Sequence, residues 1–210
     1  MSAEVEPEPS SAATLFGERV ELARAFADAL AREGEERGLI GPLEPPRLWT
    51  RHVLNCAVVA PLLRENAVVG DVGSGAGLPG LVLAIARPDV RFVLIEPMER
   101  RVAWLQEQGD SLGLANVEVV RSRAEDVRRE APLDQVTARA VSAFRKLIPI
   151  TAPLVRDGGE LVLMKGANAQ AEVSAATKEL RRFQVHDVRV DILGAGVVDE
   201  VTRVIRATVR

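Results

Sequence analysis

A chain of 210 residues with 47% apolar content fits one ordinary domain plus an added segment and can bury a substantial core. No run approaches the roughly 18 apolar residues of a membrane span, the N-terminus lacks a signal peptide's basic flank and apolar stretch, and one cysteine excludes a disulfide framework and most structural zinc sites, so a cytoplasmic chain is expected. Net charge is −3, yet residues 1–36 hold nine Asp/Glu against three Arg, a balance of −6 that leaves +3 for the remainder and keeps a nucleic-acid partner open.

Residues 1–13 are rich in Glu, Pro, Ser and Ala and are expected to form a disordered tail. From Thr14, a candidate N-cap, the pattern turns helical: Phe16, Val20 and Ala23 share one face, as do Leu22, Phe26 and Leu30. Gly34, Gly38, Gly41 and Pro42 interrupt it, and a second helix is expected over Leu48 to Ala60, after the Pro45-Pro46 pair. Residues 14–64 thus read as an N-terminal helical extension and 65–210 as the main domain. There, candidate strands at 67–72, 91–96, 117–120, 135–138 and 160–164 alternate with helices, which means parallel pairing with right-handed crossovers. Two further strands, near 185–190 and at 201–208, are separated only by a loop around Gly194-Ala195-Gly196 and should pair antiparallel.

The first of these strands is the hub of the chain. It ends in Asp71, and glycine then recurs at Gly73, Gly75 and Gly77 before Leu78-Pro79-Gly80 and the helix-forming stretch Leu81 to Ala86. Glycine is needed where the backbone takes positive φ or a ligand approaches closely, and Pro79 suits the first turn of the following helix. Gly75-x-Gly77-x-x-Gly80 fits the dinucleotide fingerprint. Asp71-x-Gly73-x-Gly75-x-Gly77 fits the loop of S-adenosylmethionine-dependent methyltransferases and accounts for more of the residues. Glu96 closes the second strand, where a carboxylate can accept both ribose hydroxyls under either reading. The third strand leads into Arg121-Ser122-Arg123-Ala124-Glu125, which in adenosylmethionine folds meets the adenine; Ser122-x-x-Glu125 also reads as a capping box.

Asp71 to Gly80, then Arg87-Pro88, Arg123-Ala124-Glu125, Ala138-Arg139-Ala140 and Lys165-Gly166, taken in order, resemble the RsmG family. This is the family of ribosomal small-subunit methyltransferase G, formerly glucose-inhibited division protein B. Leu48-Trp49-x-x-His52-x-x-Asn55-Cys56 resembles its actinobacterial form, although most relatives carry Asp-Ser at Asn55-Cys56. The resemblance covers roughly residues 45 to 170. It implies a class I methyltransferase fold, a Rossmann-like seven-stranded α/β sheet with the last strand antiparallel, with S-adenosyl-L-methionine as cofactor. It further implies methylation of N7 of one guanine in 16S ribosomal RNA of the small subunit, by a monomer without membrane or DNA partners. The residues assigned to the cofactor are Asp71, Gly73, Gly75, Gly77, Leu78, Glu96, Ala124, Glu125 and Arg139; Arg139, His52 and Lys165 are assigned to substrate positioning.

The residues lacking here agree with that chemistry. Guanine N7 carries a lone pair and no proton, so a general base is not obligatory, and proximity and exclusion of water suffice. Cys56 lacks the proline neighbour of a cytosine-C5 nucleophile, and Arg139-Ala140-Val141 is not the acid- or Asn-Pro-Pro run of adenine-N6 enzymes. No His/Cys metal cluster or Ser-His-Asp arrangement is present. The pairs Arg47/Arg51, Arg100/Arg101, Arg121/Arg123, Arg128/Arg129 and Arg145/Lys146 are candidate phosphate contacts. Five Phe, two Trp and no Tyr leave little for base stacking. Two alternatives stand beside this reading: a noncatalytic adenosylmethionine- and RNA-binding assembly module, and an NAD(P)-binding oxidoreductase, which the absence of Tyr weakens.

Overall fold

The computed structural model describes residues 4–210. Seven strands form one sheet in the order β3-β2-β1-β4-β5-β7-β6. They are β1 Val68–Val72, β2 Arg91–Ile95, β3 Val117–Val120, β4 Leu133–Arg139, β5 Val155–Lys165, β6 Val185–Leu193 and β7 Thr202–Val209. The first five pair in parallel, and β7 runs antiparallel to both β5 and β6. β5 begins five residues before the predicted Glu160. Its start crosses Gly158 and Gly159, where the pairing with β4 shifts register, and no alternating pattern marks that irregular stretch.

Side chains alternate across the sheet as a period of two requires. Val69, Phe92 and Leu94 face one core with the N-terminal helices, α4 (Gly80–Ala86) and α5 (Glu99–Ser111). Val72, Val93 and Ile95 face the other with α6 (Phe144–Thr151), α7 (Ala169–Ser174) and α8 (Thr177–Arg182). Phe26, Leu30, Leu48 and Leu54 of the extension are fully buried in the first core, each contributing about 1.5–3 kcal/mol of burial. The extension therefore shares its core with the sheet.

Three N-terminal expectations are corrected. Residues 1–3 lie outside the described residues, but 4–13 are not loose. The Glu6 N–H donates to the Pro45 carbonyl at 3.0 Å, and the Glu6 carboxylate accepts the Thr50 N–H at 2.9 Å. Glu8 takes the Arg24 guanidinium through contacts of 2.6 and 2.9 Å, and Ala12 is buried. A stretch with too few apolar groups for a core of its own is tied down by polar groups on its neighbours. The first helix, α1, spans Ser11–Phe16 and stops at Gly17 (φ +53), so Thr14 lies inside it; α2 then spans Val20–Glu33.

The expected single helix over Leu48–Ala60 is instead a π-helical segment, Leu48–Leu54, followed by one α turn, α3 (Asn55–Ala57), and a 3₁₀ turn from Ala60. π-helical turns frequently mark functional positions, and this one buries His52, Val53 and Leu54 in succession.

Candidate active site: two cavities joined at Arg139

The loop after β1 is fixed by its own backbone. Gly73, Gly75 and Gly77 have φ of +73°, +55° and +92°, which L side chains rarely adopt. The Gly73 and Ser74 N–H groups donate to the Ile95 carbonyl at 2.9 and 3.3 Å, and Ser74 Oγ donates to the Asp71 carbonyl at 2.8 Å. Trp104 Nε1 closes the far side on the Ala76 carbonyl at 3.0 Å. Glu96, buried at the end of β2, accepts the Gly75 N–H on Oε2 and the Met98 N–H on Oε1, both at 3.0 Å. Each of its oxygens retains a second lone pair.

Above this loop, at the carboxyl ends of β1, β2 and β4, lies a cavity of about 730 Å³. Of the residues assigned to the cofactor, Gly73, Gly75, Leu78, Glu96, Ala124, Glu125 and Arg139 line it, and His52 forms part of its wall. Asp71 and Gly77 are not among its walls. Asp71 Oδ2 accepts the Gly80 N–H at 3.0 Å and braces the start of α4, while its Oδ1 is buried without a partner. Burial pushes the Asp71 carboxyl up to about 7, against Ser74, the Gly80 N–H and Arg139. A Cβ on Gly77 would lie 2.4 Å from Leu81, so this glycine serves the turn. Pro79 is the residue before α4, one position earlier than expected. The Ser122–Glu125 capping box does not form: Ser122 Oγ donates to the Arg123 carbonyl, and Ala124–Asp126 is a short 3₁₀ turn.

A second cavity of about 670 Å³ adjoins the first and shares His52, Arg139 and Ala140 with it. Its other walls include Arg51, Asn55, Lys165, Glu200 and Thr202. Arg139, at the end of β4, therefore faces both cavities, and the π-helical segment supplies the facing wall through His52. Lys165 is less free than a phosphate-binding lysine. Its Nζ donates to the Ser142 carbonyl at 2.5 Å and pairs with Glu172 at 2.9 Å; that carboxylate also accepts the Phe144 N–H at 2.6 Å. Lys165 thus ties the loop after β4 to α7. Cys56 is wholly buried, which pushes its thiol up to about 11, so it is a protonated packing residue at neutral pH.

Sequence reasoning missed Glu44 and Glu200 and gave Asn55 no role beyond its place in a motif. Asn55 Nδ2 donates to the Glu200 carbonyl at 3.2 Å, and its Oδ1 accepts the Thr202 hydroxyl at 2.6 Å. Contacts spanning 145 and 147 residues leave no local signal.

Residues 19–201 match the model of the GidB family, described as rRNA small subunit methyltransferase G. The chain belongs to the GidB family. The first cavity lies wholly within the GidB match, and the second extends past it only at Thr202 and Arg203. A protein named ribosomal RNA small subunit methyltransferase G from Leifsonia xyli subsp. xyli is 71% identical over the whole length of both chains. One of the same name from Clavibacter michiganensis subsp. michiganensis is 67% identical over 98% of this chain and 97% of its own. Among solved structures, M. jannaschii TYW2 in complex with AdoMet superposes with a TM-score of 0.58 at 18% identity, covering 77% of this chain and 76% of that one. An rRNA methylase from Streptococcus thermophilus superposes at 0.52 and 14% identity, covering 74% and 94%. Such likenesses place the GidB sheet among class I methyltransferase folds.

Proposed function

We propose that this GidB-family chain transfers a methyl group from S-adenosyl-L-methionine to N7 of one guanine in 16S ribosomal RNA of the small subunit. The observation that carries the reading is the pair of cavities meeting at Arg139, one built on the glycine loop and Glu96, the other lined by polar and cationic groups.

The residues present fit the cofactor. Positive φ at Gly73 and Gly75 presents bare backbone to the first cavity, and a Cβ on Gly73 would meet Val141 at 2.8 Å. Glu96 is pre-oriented by two backbone N–H groups to accept ribose hydroxyls. Ala124 and Glu125 flank the adenine position; the Glu125 carboxylate is exposed and makes no ion pair among the described residues. When bound, the cofactor supplies an electrophilic methyl on a sulfonium sulfur.

The protein's work is positioning. Guanine N7 needs no proton removed, so the second cavity has to bring the base to the opening beside Arg139 and exclude water. Arg100, Arg123, Arg145 and Lys146 are exposed and make no ion pair among the described residues, leaving them free for phosphates; Arg121 and Arg129 are matched by Glu99 and Glu118. We assign residues 65–210 to catalysis and 14–64 to the wall on the substrate side. We place the enzyme in the cytoplasm as a monomer acting on RNA; no helix among the described residues is long and apolar enough to cross a membrane.

The test is mass-spectrometric mapping of 16S ribosomal RNA from cells with and without the gene, paired with labelled-methyl transfer to small subunits from the deficient cells. Loss of one 7-methylguanine, restored in vitro, is the expected result. Adenosylmethionine binding without transfer would favour the assembly module, and tighter binding of NAD would favour an oxidoreductase.

A further inference from the structure

The wall between the two cavities is braced by a carboxylate at the edge of the first cavity that belongs to neither glycine loop nor strand end. Arg139 Nη2 lies 3.0 Å from His52 Nδ1. A guanidinium can only donate, so Nδ1 must be the acceptor. The imidazole hydrogen then sits on Nε2, which donates to Glu44 Oε2 at 2.6 Å. Glu44 precedes Pro45-Pro46, eight residues before His52, and is itself held by Arg47 Nη2 at 2.8 Å, with Arg51 Nε at 3.6 Å. Its carboxyl lies below the usual range: partial burial pushes it up, but Arg47 and His52 outweigh that.

The imidazole is buried at 9% exposure, so its proton inventory is fixed by these neighbours. Burial first, then the charge on Arg139, holds its pKa below the ordinary value against the pull of Glu44, and Arg51 adds to the lowering. A neutral ring with one bare nitrogen follows. Arg139 makes no ion pair among the described residues. Its remaining contact is a 3.4 Å approach of Nη1 to the Arg51 carbonyl, so His52 is its principal anchor.

We propose that Glu44 is a positioning residue for methyl transfer: by accepting from Nε2 it selects the His52 tautomer whose Nδ1 receives Arg139, and so fixes the guanidinium at the opening between the two cavities. The proposal rests on reading the second cavity as the base site. Without the carboxylate, the ring is free to carry its hydrogen on Nδ1, where it would face Arg139 donor to donor and release the guanidinium. Protonation of the ring would have the same effect, so kcat should fall on the acid side as His52 gains its second proton, at a pH below the ordinary histidine value.

The test is the long-range ¹H–¹⁵N imidazole spectrum of the full chain at neutral pH, with steady-state kinetics on the same samples. The chain has two histidines, and exposed His186 serves as the reference ring, so the His52 signals are assigned directly. Wild type should show a bare Nδ1 and a protonated Nε2. E44A should shift hydrogen toward Nδ1 and lower kcat on the order of tenfold. E44Q, which keeps a carbonyl acceptor, should restore both the spectrum and most of kcat. An unchanged tautomer and kcat in E44A would overturn the proposal, as would equal damage in E44A and E44Q. A tautomer that responds as expected in a protein with no methyl transfer would overturn the assigned activity instead, and with it the role given to Glu44.

Discussion

The two walls of the site are made differently. The glycine loop is local: residues 71 to 80 bond to one another and to the end of the adjacent strand, largely through backbone groups. The wall opposite, from Glu44 to Asn55 with Lys165 behind it, is assembled from side chains whose partners lie up to 147 residues away. A backbone-built wall is tied to residue types at fixed spacing and shows in the sequence. A side-chain-built wall shows only once the chain has folded. The first suits a cofactor of constant shape, and the second a substrate that must be placed relative to it.

The largest expected effect tests the brace beneath the loop. The folded Asp71 carboxyl keeps its proton up to about pH 7, whereas its ordinary value is 3.8. Its stabilising contribution is therefore complete below 3.8 and is lost as pH rises through 7. At about 1.4 kcal/mol per pKa unit, wild type should lose roughly 4 kcal/mol relative to Asp71→Asn across that window. Denaturant titrations of both proteins from pH 4 to 8 measure it; parallel curves would remove Asp71 from the account.

Lys165→Met sharpens the comparison from the other side. Removing the ammonium strands Glu172 beside the Phe144 N–H, and breaking such a largely buried pair should cost about 3 kcal/mol in chemical denaturation. A change in KM for the ribosomal substrate with stability intact would show that Lys165 acts on the substrate and not as a brace. Gly73→Ala should leave the opposite signature. Strain at φ +73 and the approach to Val141 should weaken adenosylmethionine binding about tenfold by calorimetry, an effect of about 1.4 kcal/mol. The smallest effect belongs to Trp104→Phe, which removes one buried hydrogen bond to the Ala76 carbonyl and should lower stability by about 1 kcal/mol.

What was legible follows the same division. The strands, their direction and the antiparallel end of the sheet followed from apolar alternation and loop length, and Val117–Val120 lies where that pattern puts it. The start of β5 escaped because two glycines carry it through a register shift. In the site, glycine spacing and the carboxylate at the second strand end pointed to residues that do line the first cavity. Asp71 and Gly77 share the same spacing but serve the turn, Asp71 by accepting the Gly80 N–H and Gly77 by its packing against Leu81. Asp71-Gly80 and Gly77-Leu81 contacts become evident only in three dimensions. Nothing near Glu44 announces that it meets an imidazole eight residues on, since the π-helical turn sets that meeting.

A crystal structure of the chain bound to S-adenosylhomocysteine tests the central claim most directly. The account predicts ribose hydroxyls on Glu96, the adenine beside Ala124 and Glu125, and the thioether sulfur facing the opening at Arg139. A ligand seated in the second cavity, or a first cavity left empty at saturating ligand, would contradict it.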